Sequence, residues 1–173
     1  MKKPISLFVL VALLLASGCS KEKKSPLSVP YESYKLANGL TVILNEDKSD
    51  PITSLVILYH VGSSREVPGK TGFAHLFEHM MFQRSENVQE DQYFKYIEGA
   101  GGTLNGGTNF DQTIYFEVVP KNALEMAMWL ESDRMGFLRN TVTPQSFALQ
   151  QNVVQNEKRQ GVDNRPYGFT DYV

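Results

Sequence analysis

Cysteine is almost absent from this 173-residue chain: Cys19 stands alone, so no internal disulfide can staple the fold. Charge of one dominant sign is absent too. Seventeen basic and nineteen acidic residues leave a net charge of -2 with no basic stripe, which gives no support for binding nucleic acid. The apolar run from Ile5 to Ala16 falls short of the roughly 20 residues needed to cross a bilayer. No internal repeat is visible, and histidine occurs only three times. What is present is an ordinary globular composition, 42% hydrophobic and 21% charged, in a chain long enough for one domain with a real core.

The N-terminus has its own organisation. Lys2 and Lys3 precede the apolar run, and Ala16-Ser17-Gly18-Cys19 follows it, which describes an export signal. The small residues ending in Cys19 resemble the lipobox of bacterial lipoproteins. That resemblance implies lipidation of Cys19 as the new N-terminus, where each buried CH₂ contributes about 0.8 kcal/mol to a membrane anchor. Ser20, rather than Asp, resembles the pattern that directs such proteins to the outer membrane. Residues 1–18 are thus expected to be a signal peptide and 19–30 a polar tether holding Pro26 and Pro30, with residues 31–173 folded on the periplasmic side of the cell envelope.

From Tyr31 onward the pattern is that of alternating short elements. Tyr34 to Leu36, Asn38-Gly39 and Leu40 to Leu44 read as a β-hairpin, with Asn-Gly supplying the positive φ angles of a tight turn. Ile52 to Val61 reads as a central strand, followed by a polar loop over 62–70. A helix is expected from an N-cap at Thr71 to about Gln83, and another from Gln89 to Ala100, stopped by Gly101-Gly102. Strands follow near Thr103 to Gly106 and Gln112 to Val119; in the second, Ile114, Phe116 and Val118 alternate with Thr113, Tyr115 and Glu117. Lys121 to Phe137 reads as a helix with Leu124, Ala127, Met128 and Met135 on one stripe, and Thr143-Pro144 opens a last helix. Hairpins without regular βαβ alternation point to an α+β fold, a largely antiparallel sheet packed with helices.

Two of the three histidines flank a glutamate in Gly72-Phe73-Ala74-His75-Leu76-Phe77-Glu78-His79-Met80-Met81-Phe82. On a helix His75 and His79 share a face, and Glu78 lies on the same arc. The rest of the segment is apolar nearly all round, as in a buried helix. Three ionisable groups there are costly unless something satisfies them. A divalent metal would, since two imidazoles one turn apart suit zinc and a nearby carboxylate can take a proton from water. Zinc needs a third protein ligand. Spacing alone leaves Glu131, Asp133 and Glu157 eligible; Glu157 continues the stripe of Val153 and Val154 and is expected to point inward. His60, near a strand end, fits a structural role.

His-x-x-Glu-His is the inverted zinc-protease signature. Together with Asn38-Gly39-Leu40, Gly62-Ser63, Gly101 to Gly106, Val153 to Arg159 and Asn164 to Gly168, it resembles the N-terminal part of insulinase-type (pitrilysin, M16) zinc metalloproteases over essentially all of the chain from Tyr31. The resemblance implies a zinc endopeptidase with His75, His79 and Glu157 as ligands to Zn²⁺ and Glu78 as general base, acting on peptides or unfolded segments. Some relatives have a second-shell Glu at the place of Gln150. The resemblance also implies that Thr103 to Gly107 is an edge strand to which a peptide substrate adds, with Thr103, Asn105 and Gly106 contacting it. Relatives carry a second, similar half that closes over the peptide, so this chain is expected to be an incomplete N-terminal catalytic domain that works with a second M16-type half or subunit. The alternative in the same family is a non-catalytic peptide-binding partner of a heteromer.

Overall fold

The structure, a computed structural model, describes residues 28–168. The signal segment and Cys19 lie outside the described residues. The chain divides into two units, one ending at Lys48 and one beginning at Ser49.

The first unit holds an antiparallel hairpin of β1 (Glu32–Lys35) and β2 (Thr41–Leu44), with Glu32 opposite Leu44 and Lys35 opposite Thr41. Its turn differs from the expected Asn-Gly geometry. Only Gly39 has positive φ; Asn38 instead accepts a hydrogen bond at its side-chain oxygen from the Leu40 N–H at 3.1 Å. The connection closes through Leu36, whose N–H donates to Leu40 and whose carbonyl accepts from Gly39. This matches the longer loop in which a single left-handed glycine completes the turn.

The second unit is a three-stranded antiparallel sheet with helices on one face. β3 (Ile52–Tyr59), β4 (Thr103–Thr108) and β5 (Thr113–Pro120) lie in the order β3-β5-β4. Among the described residues β5, and not the Ile52–Tyr59 strand, is central. Tyr59 pairs with Thr113 and Ile52 with Pro120 on one side, and Thr103 pairs with Val118 on the other. The helices are α1 (Phe73–Gln83), α2 (Gln92–Gly99), α3 (Leu124–Phe137) and α4 (Pro144–Lys158). The core gathers Val88, Tyr93, Ile97, Val119, Ala123, Ala127 and Leu130, with Leu55 and Leu104 of the sheet against it. Each such large apolar side chain contributes roughly 1.5–3 kcal/mol by leaving water.

Hydropathy alone does not mark the buried face of β5 or of α3. On β5 the helix-covered face carries Thr113, Tyr115 and Glu117, while Phe116 is partly exposed. On α3 the buried residues are Ala127, Leu130, Glu131, Asp133 and Arg134, whereas Met128 and Met135 are exposed. The cause is one buried polar network. The Arg134 guanidinium pairs with Glu131 and lies 4.0 Å from the Tyr115 ring centre and 4.7 Å from that of Tyr93. Tyr93 places its hydroxyl 2.8 Å from both Glu117 and Glu131. Charges satisfied in this way can occupy a core face that hydrophobicity assigns to methionine.

Helix starts follow local rules at one end of the fold and not at the other. α4 begins as expected, with Thr143 as N-cap in a reciprocal capping box with Ser146 and Pro144 in the first turn. α1 does not use Thr71. Its N-cap is Gly72 in a left-handed conformation with no side-chain cap of its own, and Glu66 supplies one from outside the helix.

Candidate metal centre

α1 fixes two of the candidate ligands by its period alone. His75 and His79 are one turn apart, with ring centres 4.9 Å apart and Nε2 atoms 3.2 Å apart. The helix is anchored by Leu76 and Met80, which are buried, while Phe73 and Phe77 remain exposed, so it is not buried all round. Phe82 at its C-terminal end packs edge-on against Tyr115 at 5.3 Å and Tyr93 at 6.2 Å, and the Tyr115 hydroxyl donates to Met81 Sδ at 3.3 Å. On its other side α1 meets α4, where Phe73 and Phe147 lie 6.5 Å apart.

α4 brings Glu157 to the histidines. Its Oε2 is 3.3 Å from His75 Nε2 and 3.3 Å from His79 Nε2. The three donor atoms thus form a nearly equilateral triangle with sides of 3.2–3.3 Å. A tetrahedral zinc site with bonds of about 2.0–2.1 Å has ligand–ligand edges of about 3.3–3.4 Å. Two imidazole nitrogens and one carboxylate oxygen at that spacing fit zinc in both chemistry and size, and three protein donors leave a fourth position open. The centre sits at a rim: the side chains of His75, His79 and Glu157 are 39%, 21% and 47% exposed. Glu157 reaches the histidines without being buried, so it leaves the stripe of half-buried Val153 and Val154 at the helix edge.

The two other acids that spacing left eligible are engaged elsewhere. Asp133 accepts from the Ser85 hydroxyl and, at 2.5 Å, from the Asn87 side-chain amide. Glu131 accepts from Arg134 Nε at 2.9 Å and from Tyr93. Glu117 beside it is shifted up to about 8, by burial first and then by the neighbouring Glu131. Burial raises the Tyr93 and Tyr115 phenols and pushes Tyr59 up to about 12. Burial, the largest single influence, would lower Arg134, but the Glu131 charge and hydrogen bond together with Tyr93 and Glu117 outweigh it and leave the guanidinium raised.

Glu78 lies on α1 between the two histidines in sequence and is half-buried, and its carboxylate accepts no hydrogen bond from another described residue. Its charge is close enough to help raise the Tyr115 phenol. Thr103, Asn105 and Gly106 lie on β4, an edge strand among the described residues. Asn105 is exposed and its Oδ1 accepts from the Gly106 N–H at 2.8 Å. Gly106 lets Phe82 approach closely, since a Cβ there would stand 2.9 Å from that ring. Gln150 is buried and lines a cleft with Met80 and Gln83, apart from the ligand triad. His60 has the structural setting its position suggested, 3.2 Å from Asp111 and beside Arg65. A hydrogen bond from Arg65 is the largest cause holding the Asp111 carboxyl below its usual range. Sequence reasoning did not find Glu66, whose contacts with α1 are backbone hydrogen bonds from a preceding loop.

The chain is similar to known proteins over most of its length. Residues 41–167 match the family described as Insulinase (Peptidase family M16). The chain is 33% identical over 158 residues to "Zinc protease PqqE" of Helicobacter pylori, covering 91% of this chain and 35% of that protein. It is 30% identical over 99 residues to the insulin-degrading enzyme of Homo sapiens, covering 57% of this chain and 10% of that one. Among solved structures, a protease from Helicobacter pylori is similar with a TM-score of 0.79 at 33% identity, over 83% of this chain and 34% of that chain. Pitrilysin, at 24% identity and a TM-score of 0.69 over 79% of this chain and 14% of that one, shares the fold. The chain therefore spans about a third or less of the length of these relatives.

Proposed function

The chain belongs to the insulinase family of peptidases, family M16, and from that premise we propose that it carries the reaction centre of a zinc-dependent endopeptidase acting on peptides or unfolded segments. The observation that carries the proposal is the triangle of His75 Nε2, His79 Nε2 and Glu157 Oε2, with sides of 3.2–3.3 Å. In this reading the two imidazoles bind through Nε2 as neutral ligands and Glu157 binds as a carboxylate. Bound zinc would supply Lewis acidity, lowering the pKa of a water toward about 7 and polarising the scissile carbonyl. Glu78 is not a ligand. Its carboxylate takes a proton from the attacking water and passes it to the leaving amine nitrogen.

Among the described residues β4 has no neighbour on its outer side, so a peptide can add there as a further strand, with Thr103, Asn105 and Gly106 along its path. Backbone pairing selects extended segments over folded ones and carries little sequence preference. A second M16-type half or subunit would close over the bound peptide. We further propose that the protein is exported and anchored through Cys19 at the outer membrane; replacing Cys19 with serine should release it to the soluble fraction, and unchanged membrane association would refute this.

The test of activity uses full-length protein and a quenched-fluorescence peptide. Cleavage should require zinc, stop with a chelator, return on adding zinc, and vanish in Glu78→Gln. Cleavage that survives both chelation and the substitution would refute the proposed mechanism.

A further inference from the structure

The chain leading into α1 from Val67 to Thr71 is exposed throughout, so burial does not fix its path. Two features fix the approach instead. The loop from Gly62 to Glu66 is laid against the β4–β5 turn, with the Ser64 N–H donating to the Phe110 carbonyl at 2.8 Å and the Arg65 guanidinium to Asp111 at 2.6 Å. Gly62 permits this close approach, since a Cβ there would stand 2.6 Å from the Asp111 nitrogen. At the far end of the loop, Glu66 turns its carboxylate onto the start of α1. Oε2 accepts from the Gly72 N–H and Oε1 from the Ala74 N–H, each at 2.6 Å.

We propose that Glu66 is a positioning residue that fixes the first turn of α1, and through it the place of His75, against the β4–β5 end of the sheet. His75 is the third residue of α1, inside the turn where a helix frays most readily, whereas His79 lies a full turn deeper. Gly72 provides no side-chain cap, and no acid occupies the first turn. Glu66 therefore supplies both missing elements, an acceptor for two orphan N–H groups and a negative charge at the positive end of the helix. The consequence is asymmetric. Loss of Glu66 loosens His75 while leaving His79 on ordered helix, so the two imidazoles lose their common geometry. The significance for zinc rests on the function proposed above; the fixing of the turn does not.

The experiment compares wild-type chain with Glu66→Ala and Glu66→Gln. In metal-free protein, exchange of the Leu76 amide, which closes the first turn on the Gly72 carbonyl at 3.0 Å, should speed up about fivefold in Glu66→Ala, while amides inside α4 stay unchanged. Zinc affinity, measured by competition with a chromophoric chelator, should fall about tenfold. Glu66→Gln, which keeps one acceptor and loses the charge, should fall between and covers the case in which Glu66→Ala does not fold. A lowered unfolding temperature with unchanged Leu76 exchange and unchanged zinc affinity would mean a general structural role and overturn the proposal. If wild-type chain binds no zinc, the function proposed above fails, and the exchange measurement alone decides this one.

Discussion

Replacing Glu117 with glutamine should make the chain's stability less dependent on pH and raise it in alkaline solution. Tyr93 has one phenolic hydrogen, yet its oxygen lies 2.8 Å from both Glu117 and Glu131. Only one carboxylate can accept it, so the other contact needs a proton on the acid. Glu117, almost fully buried and beside Glu131, is the group pushed from 4.5 up to about 8. In the folded chain it stays protonated through neutral pH, whereas in the unfolded chain it ionises near 4.5. The stability contributed by neutral Glu117 is therefore fully present below about 4.5 and is lost progressively as pH rises toward about 8. The slope is on the order of 1 kcal/mol per pH unit, which sums to a few kcal/mol over that window. Glutamine mimics the neutral acid in shape and can donate to Tyr93 at every pH. Urea unfolding in chelator, which removes metal linkage, should give similar stabilities for wild type and Glu117→Gln at pH 5 and a more stable variant at pH 8. A wild-type stability that rises between these pH values, or an equal slope in both proteins, would refute the assignment of the proton to Glu117.

Other consequences follow from the same contacts. Glu78→Gln should lower turnover of the full-length protein by about 10²–10⁴-fold while leaving zinc stoichiometry unchanged; parallel loss of metal would make Glu78 a ligand instead. Asp133→Ala should cost about 1–3 kcal/mol in urea unfolding, because it strips acceptors from Ser85 and Asn87. Zinc affinity should not change, and a drop would return Asp133 to the ligand set. Gly62→Ala should cost about 1–3 kcal/mol by forcing the loop away from the β4–β5 turn, and an unchanged unfolding midpoint would contradict the close approach.

The site was more legible in the sequence than the scaffold around it. A helical period of 3.6 dictates that His75 and His79 face together, and the turn of their side chains then puts the nitrogens 3.2 Å apart. Glu157 was one of three acids allowed by spacing, with the family resemblance favouring it. What sets it apart physically is that Glu131 and Asp133 are bound by Arg134, Tyr93, Ser85 and Asn87, contacts between elements distant in sequence. The same blindness explains α3 and β5. Hydropathy assigns Glu117 and Arg134 to water, yet both are 1% exposed because each neutralises or hydrogen-bonds another buried group. The α1 cap failed for a related reason. Thr71 is a good local candidate, but Glu66 reaches the helix across an intervening loop, and no local pattern encodes that reach.

Zinc titration of the wild-type chain beside its Glu157→Gln variant probes the reaction centre at its least local ligand. Wild type should bind one equivalent, and the variant should bind at least about 100-fold more weakly, since a direct ligand is lost rather than an outer partner. Equal stoichiometry and affinity in the two proteins would show that Glu157 holds no metal and would contradict the three-ligand centre.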